Sequence, residues 1–270
     1  MMMSEKKNYS MRLRLFRFLI CVLAVVMAAG CSIKEDRSGC PCRLVLDFSE
    51  VDTSVVKSLE LLGLAEDRTV FSDMLPCDEF RNEYVCDVSR APLRVNIWNV
   101  MTDRSEHSEG IVIPYGCECP QLYMHSFVAD AVGEVWYGKV RLRKNYCRLT
   151  VVMEDCDQIP YSFTFRGCVD GYGADGMPSK GDFSCVAYPE NVENPYALIP
   201  RQLDNSLMLD IDDGTRVVKT FALGEYIAAT GYDWSLPDLK DMTIVIDYSM
   251  TYIKIAISGW DEEYLYNIVL

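Results

Sequence analysis

The sequence is poor in the residues and motifs that most catalytic sites require. Only two of its 270 residues are histidines, His107 and His125, and neither belongs to an H-E-x-x-H or comparable metal-ligand spacing. It also contains no phosphate-binding loop ending in Gly-Lys-Ser/Thr and no Gly-x-Ser-x-Gly nucleophile elbow. We therefore expect no catalytic residues, no metal and no cofactor, and we interpret both histidines as loop or surface residues.

Positive charge is scarce as well. The chain has 26 Lys and Arg residues against 40 Asp and Glu, a net charge of −14. Nucleic-acid binding needs clustered Lys and Arg to neutralise phosphates, so this composition excludes a nucleic-acid partner. The apolar content excludes intrinsic disorder, because 50% of the residues are apolar and 11% are aromatic.

The N-terminus carries an export pattern. Basic residues precede an apolar run (residues 18–29) that is shorter than the roughly 20 residues of a membrane-spanning helix. We interpret residues 1–30 as a signal peptide. The sequence Ala28-Ala29-Gly30-Cys31 resembles a bacterial lipobox, in which the cysteine is acylated and becomes the new N-terminus. The alternative is an ordinary cleavage site followed by a chance cysteine.

Acylation of Cys31 would provide the attachment to a membrane. Removal of residues 1–30 leaves 21 basic and 39 acidic residues, a net charge of −18. Such a surface repels anionic lipid headgroups, so attachment requires acyl chains such as palmitate rather than a basic patch. We predict a lipidated N-terminal tether over residues 31–42.

Alternating apolar and polar residues dominate the chain from residue 43 onward. The period of two is clearest in three triplets: Leu44, Leu46 and Phe48; Leu93, Val95 and Ile97; and Ile253, Ile255 and Ile257. This pattern is typical of antiparallel sheets with one buried face, and the lack of β-α-β alternation favours sandwiches. We predict an all-β fold with few short helices, in two tandem β-sandwich domains, residues 43–140 and 141–270.

Local patterns add three predictions. Helical spacing of apolar residues predicts short helices over residues 50–65 and 224–230. Asp213-Gly214 predicts a hairpin turn. The glycine-rich residues 167–181 lack a spaced calcium-binding pattern, so we interpret them as a mobile loop between strands.

Twelve cysteines are present, of which Cys21 lies in the signal peptide and Cys31 is the predicted lipidation site. Ten remain, an even number that favours disulfides in an exported protein. The candidate disulfide cysteines form two doublets, Cys40 with Cys42 and Cys117 with Cys119. Free thiols in an anoxic habitat and a structural zinc site remain alternatives.

Both ends of the mature chain resemble a known family. Residues 31–37 (Cys-Ser-Ile-Lys-Glu-Asp-Arg) and 40–47 (Cys-Pro-Cys-Arg-Leu-Val-Leu-Asp) are similar to the start of FimB/Mfa-type fimbrial anchor lipoproteins of gut and oral anaerobes. Residues 221–227, residues 239–247 and a last strand running into Trp260 extend the similarity. These proteins belong to the fimbrillin superfamily, which builds type V pili.

The resemblance implies that both sandwiches are transthyretin-like. It also implies a non-catalytic, surface-exposed lipoprotein of the cell outer membrane that anchors a fimbrium, with fimbrial stalk subunits as partners and no small-molecule substrate. Strand donation between subunits is the implied mode of association. The C-terminal residues Tyr264, Tyr266, Ile268 and Leu270 form a candidate donor strand, and the alternative is a last strand paired inside its own domain.

Two other functions are compatible with the sequence. A surface lipoprotein could bind a glycan or a host protein, as an adhesin or tip-like subunit, with Trp98, Trp136, Trp234 or Trp260 as stacking platforms. Strand alternation leads us to expect Trp98 and Trp260 mostly in the core. An acid-based hydrolase would need two facing carboxylates, for which the sequence offers no positive sign.

Overall fold

The computed structural model describes residues 39–66, 68–76, 83–99, 110–155, 159–189 and 194–267. Within these ranges the chain forms 18 β-strands and one short helix, so the prediction of an all-β fold is confirmed. No helix within the same ranges is long and apolar enough to cross a membrane. The signal peptide and Cys31 lie outside the described residues.

The strands divide into two consecutive groups. The first comprises β1 (Cys42–Asp47), β2 (Ser58–Ala65), β3 (Arg68–Pro76), β4 (Glu83–Val88), β5 (Pro92–Asn99), β6 (Gly110–Val112), β7 (Tyr123–Asp130), β8 (Val135–Lys139) and β9 (Arg143–Lys144). The second comprises β10 (Tyr146–Glu154), β11 (Ser162–Gly173), β12 (Pro178–Ala187), β13 (Tyr196–Pro200), β14 (Met208–Asp212), β15 (Val217–Phe221), β16 (Met242–Asp247), β17 (Tyr252–Ile257) and β18 (Glu263–Asn267). The helix α1 (Leu223–Ala229) follows β15.

The first sandwich packs a three-stranded sheet on a five-stranded sheet. Their strand orders are β4-β1-β8 and β3-β2-β5-β7-β9. Leu44 and Leu46 from β1 are fully buried in one core with Leu59 from β2 and Ile97 from β5. The alternation seen in the sequence thus places one face of each sheet against the other.

The second sandwich is built from the later strands. One sheet has the order β13-β10-β16-β17-β18 and the other β12-β11-β14-β15, with β6 paired to the far end of β11. The core contains Phe163 and Phe165 of β11 against Ile244 of β16 and Ile255 of β17, all fully buried.

A segment from the first half of the chain packs on the second sandwich. It comprises residues 110–119, and its Ile113 and Cys119 are buried in the second core. The Ile113 N–H donates to the carbonyl oxygen of Asp170 at 2.7 Å, and the Cys119 N–H donates to that of Leu198 at 2.9 Å. The chain over Pro41–Leu270 forms one compact unit, and the predicted division at residue 140 stays a prediction.

A smaller apolar cluster joins the strands of the two sandwiches. Its members are contributed by β2, β5, β6, β7, β11 and the chain just before β7: Leu62, Trp98, Ile111, Leu122, Met124 and Tyr172. Because these side chains lie on the faces of β2 and β5 that point away from the first core, both faces of those strands are covered by protein.

Two of the local predictions are wrong. The predicted helix over residues 50–65 is replaced by a turn and the strand β2, and the glycine-rich residues 167–181 lie mostly in β11 and β12 rather than in a loop. The glycines of β11 predict a loop, but they lie at β-bulges, where an extra unpaired residue is accommodated within the strand. The helix predicted over residues 224–230 is confirmed as α1.

The hairpin at Asp213-Gly214 is confirmed. β14 and β15 pair antiparallel on either side of it. Gly214 has a φ of 87°, in the left-handed region that favours glycine. One carboxylate oxygen of Asp213 accepts the N–H groups of Thr215 at 2.9 Å and Arg216 at 3.0 Å, which fixes the turn.

Candidate functional site

The C-terminal strand β18 lies at the edge of its sheet. It pairs antiparallel with β17, and Tyr264 stands opposite Ile255 and Tyr266 opposite Ile253. Both tyrosines are partly buried against the second core, whereas Leu265 between them is 58% exposed. The candidate donor residues Tyr264 and Tyr266 thus face one side, as their spacing predicts.

Aromatic contacts hold β18 against the body. The Tyr266 ring lies 5.3 Å from that of Tyr226 in α1, and the Tyr264 ring lies 6.2 Å from that of Trp260. Beneath β18, Ile253 and Ile255 of β17 are fully buried. The other two candidate donor residues, Ile268 and Leu270, lie outside the described residues.

The first strand, β1, occupies the middle of its sheet. It pairs antiparallel with β4, with Leu44 opposite Cys86, and parallel with β8, with Leu44 opposite Trp136. Cys42, Leu44 and Leu46 are fully buried. Further hydrogen bonds close both ends of β1, because the Arg43 N–H donates to Glu134 and the Asp47 carbonyl accepts the Val140 N–H, each at 2.8 Å. The residues that follow the predicted tether are therefore part of the first core.

The structure separates the two cysteine doublets. Cys40 is exposed and Cys42 is buried in the first core, whereas Cys117 is exposed and Cys119 is buried in the second core. Neither doublet is bridged in the described part of the chain, and disulfide pairing of these four cysteines stays a prediction. Since the doublets belong to different cores, they do not form one four-thiolate cluster, and no group of three or more metal-ligating side chains occurs among the described residues.

Each buried member of a doublet has a cysteine neighbour that the sequence did not single out. Cys86 of β4 stands diagonally across from Cys42, two register positions away on the same face, and Cys185 of β12 lies in the same core as Cys119. Burial raises the pKa of Cys86 to about 11 and of Cys185 to about 12, so neither thiol is activated. The alternation Tyr84, Cys86, Val88 could have indicated that Cys86 points inward; its register with Cys42 could not be read from the sequence.

His125 and the four tryptophans are all at least partly buried in the described part of the chain. His107 lies outside the described residues. His125 is in β7 rather than in a loop, its Nδ1 accepts the Arg141 N–H at 3.2 Å, and burial lowers its pKa. Trp98 is 2% exposed and Trp234 9%, while Trp136 and Trp260 are partly buried. The expected core position of Trp98 is confirmed.

Two of the tryptophan side chains already contact neighbouring residues, one through a hydrogen bond to a carboxylate and one through ring stacking. The Trp98 Nε1 donates to Glu60 at 2.9 Å, and the Trp136 ring stacks on Phe127 with ring centres 5.5 Å apart. An aromatic platform for a glycan needs a free face, so these tryptophans do not support that function.

Comparison with known proteins finds similarity of structure only. No family profile and no curated protein match the sequence. The fimbrial anchor protein Mfa2 from Porphyromonas gingivalis is 14% identical, with a TM-score of 0.56 over 82% of this chain and 98% of that one. A candidate adhesin from Bacteroides ovatus is 15% identical, with a TM-score of 0.56 over 86% and 97%.

A third similar structure comes from Bacteroides thetaiotaomicron and is described as a candidate polysaccharide-binding protein. It is 12% identical, with a TM-score of 0.59 over 84% of this chain and 98% of that one. Each of the three is matched over nearly its whole length, so the similarity covers both sandwiches. The chain therefore has the fold of a fimbrial anchor protein, of a candidate adhesin and of a candidate polysaccharide-binding protein.

Proposed function

We propose that the protein is a non-catalytic surface lipoprotein that anchors a fimbrium to the cell outer membrane. In this proposal the acylated Cys31 holds the chain in the membrane, and fimbrial stalk subunits associate with it through strand pairing. The similarity in fold to Mfa2 over 98% of that chain is the observation that carries the proposal.

The position of β1 supports the anchoring part. Ten residues separate Cys31 from Cys42, and an extended chain spans at most about 3.5 Å per residue, so the body would lie within roughly 40 Å of the lipid. Because β1 is the first strand in the described part of the chain and lies at the centre of its sheet, the tether would continue directly into the first core. A force applied to the lipid would therefore be transmitted directly to the first sandwich.

The position of β18 supports the association part. The strand lies at the edge of its sheet and pairs with β17 alone, so only one ladder has to open before β18 can be offered to another subunit. We propose that residues 264–270 act as the donor strand, with Tyr264, Tyr266, Ile268 and Leu270 filling alternate pockets in the stalk subunit.

The anchoring proposal is tested with Cys31→Ser. Cells producing the variant should release the protein from the outer-membrane fraction and should incorporate no fatty-acid label into it. Cys40→Ser is the matched control, since it removes an exposed cysteine nine residues further along and should leave labelling and retention unchanged. Retention of the Cys31→Ser protein in the membrane would contradict the proposal.

The fimbrial part needs a separate measurement. Detergent extraction of wild-type cells after cross-linking should recover the protein together with fimbrial subunits, and loss of the protein should release fimbriae into the medium. If the protein is lipidated but never cross-links to fimbrial subunits, the proposed anchoring role is wrong.

A further inference from the structure

Tyr115 is displayed at the tip of a tight turn. The Cys117 N–H donates to the carbonyl oxygen of Pro114 at 3.0 Å, and Gly116 has a φ of 89°, as the third position of a type II turn requires. The Gly116 N–H also donates to the carbonyl oxygen of Ser184 in β12 at 2.9 Å. The turn is thereby fixed against the second sandwich, while the Tyr115 side chain is 71% exposed.

An open trough of about 460 Å³ lies beside this ring, on the outer face of the sheet that contains β11, β12 and β14. Volumes of about 300–1,000 Å³ are typical of ligand sites. Gly167 and Gly181 line it, and neither can carry a side chain without a shift. A Cβ on Gly181 would come within 2.0 Å of the Asp170 carboxylate, and one on Gly167 within 2.4 Å of the Gln202 amide oxygen.

Polar groups with unused hydrogen-bonding capacity surround the trough. Arg166 donates from Nε to Asp210 at 2.7 Å and from Nη2 at 3.1 Å, which leaves Nη1 without a partner in the part of the chain that the structure describes. The Thr220 hydroxyl donates to the same carboxylate at 2.6 Å and fixes its plane. Lys180 and Asp182 also line the trough, and neither forms an ion pair with any other described residue.

We propose that this trough binds a neutral saccharide. A sugar ring presents an apolar face of C–H groups, which an exposed aromatic ring can cover, and a rim of hydroxyls that both donate and accept hydrogen bonds. Tyr115 supplies the ring, Arg166 and Lys180 supply donors, and Asp182 supplies an acceptor.

Charge balance selects a neutral ligand over an anionic one. The Arg166 cation is already paired with Asp210, and Lys180 is offset by Asp182, so the site has no net positive charge with which to hold a sulfate or uronate. The proposal goes beyond the fimbrial role and does not depend on it, because the site lies on the second sandwich and uses none of the residues of β1 or β18.

The test measures binding of the wild-type protein and three variants to immobilised neutral oligosaccharides of glucose, galactose and mannose, with heparin as the anionic comparison. Tyr115→Ala should weaken binding roughly tenfold, and Tyr115→Phe should retain it, because the stacking face survives. Tyr137→Ala is the matched control: Tyr137 is 74% exposed on β8, away from the trough, and its removal should have no effect.

Three results would overturn the proposal. They are no binding of the wild-type protein to any neutral sugar at millimolar concentration, binding to heparin alone, and equal binding by Tyr115→Ala and wild type. Because Tyr115 is exposed, all three variants should have the melting temperature of the wild type, so that a loss of binding reports on the site and not on folding.

Discussion

The hydroxyl of Tyr172 in β11 donates to the backbone carbonyl of Asn145 at 2.6 Å, in the short connection between β9 and β10. The same oxygen accepts the N–H of Arg201 at 3.2 Å, and the Arg201 guanidinium donates to the Asn145 side chain at 3.2 Å. Tyr172 is 2% exposed and belongs to the cluster that joins the two sandwiches. One buried phenol thus fixes the connection between them.

Tyr172→Phe should therefore destabilise the protein. The substitution leaves the buried carbonyl of Asn145 and the partly buried N–H of Arg201 without their partner, and the expected loss is about 1–3 kcal/mol of unfolding free energy. Denaturant titration of the variant against the wild type measures it. Tyr137→Phe removes an exposed hydroxyl and should change nothing; an equal effect of the two substitutions would contradict the role assigned to Tyr172.

Acid should unfold the protein in part through Asp247. Burial acts to raise the pKa of this carboxyl, but hydrogen bonds from the Tyr252 and Thr251 N–H groups outweigh it and hold the pKa below its ordinary value of 3.8. The unfolded chain then takes up the proton first, so this stabilisation is complete above pH 3.8 and disappears as the pH falls through the lower, folded value.

Asp247→Asn tests this assignment. The variant should be about 1–3 kcal/mol less stable than the wild type at neutral pH, because the amide cannot accept the same set of hydrogen bonds. The difference should shrink below pH 4. Asp261→Asn, at an exposed position, serves as the control. A difference that stays constant from pH 7 to pH 2 would show that ionisation of Asp247 contributes nothing.

Thiol reactivity should differ within each cysteine doublet. Cys117 is exposed, whereas Cys119 is 1% exposed and burial raises its pKa, so in reduced, folded protein an alkylating reagent at pH 8 should label Cys117 far faster than Cys119. Cys40 and Cys42 should show the same contrast. Peptide mass spectrometry over a labelling time course measures the rates, and comparable rates at Cys117 and Cys119 would contradict the buried position of Cys119.

Deletion of residues 264–270 tests whether β18 is donated to another subunit or is an integral strand of its own domain. The proposed donor role predicts a protein that melts cooperatively, at a lower temperature because two tyrosine contacts are lost, but that no longer retains fimbriae. Within the full chain, Tyr264→Ala combined with Tyr266→Ala should weaken stalk association, whereas Leu265→Ala, on the opposite face of β18, should not. An unfolded truncation product would identify β18 as an integral strand.

The sequence predicts the strands best where one face is buried and the other is exposed to solvent. Ile253, Ile255 and Ile257 alternate with more exposed residues, and β17 lies where the pattern placed it. β2 was mistaken for a helix because both of its faces are covered: Leu59 and Leu61 face the first core, while Leu62 faces the joining cluster. Burial on both faces removes the period of two, and the remaining run of leucines resembles helical spacing.

Contacts between residues that are distant in the sequence could not be predicted from the sequence. β6 has three residues, and its partner β11 lies about sixty positions further along, so nothing local predicts the pairing. For the same reason the neighbours Cys86 and Cys185 and the exposed ring of Tyr115 became apparent only with the fold. The candidate donor spacing of Tyr264 and Tyr266 was predictable, because alternation within one strand is a local property.

The way in which β1 is paired has a mechanical consequence. Its six residues pair with β4 on one side and five of them with β8 on the other, and the backbone hydrogen bonds of both ladders run across the strand axis. In the proposed anchor, a force applied at Cys42 along that axis would shear both ladders at once instead of peeling them open one bond at a time. Under the proposed attachment through Cys31, β1 would therefore be loaded in shear, a geometry that resists traction better than peeling does.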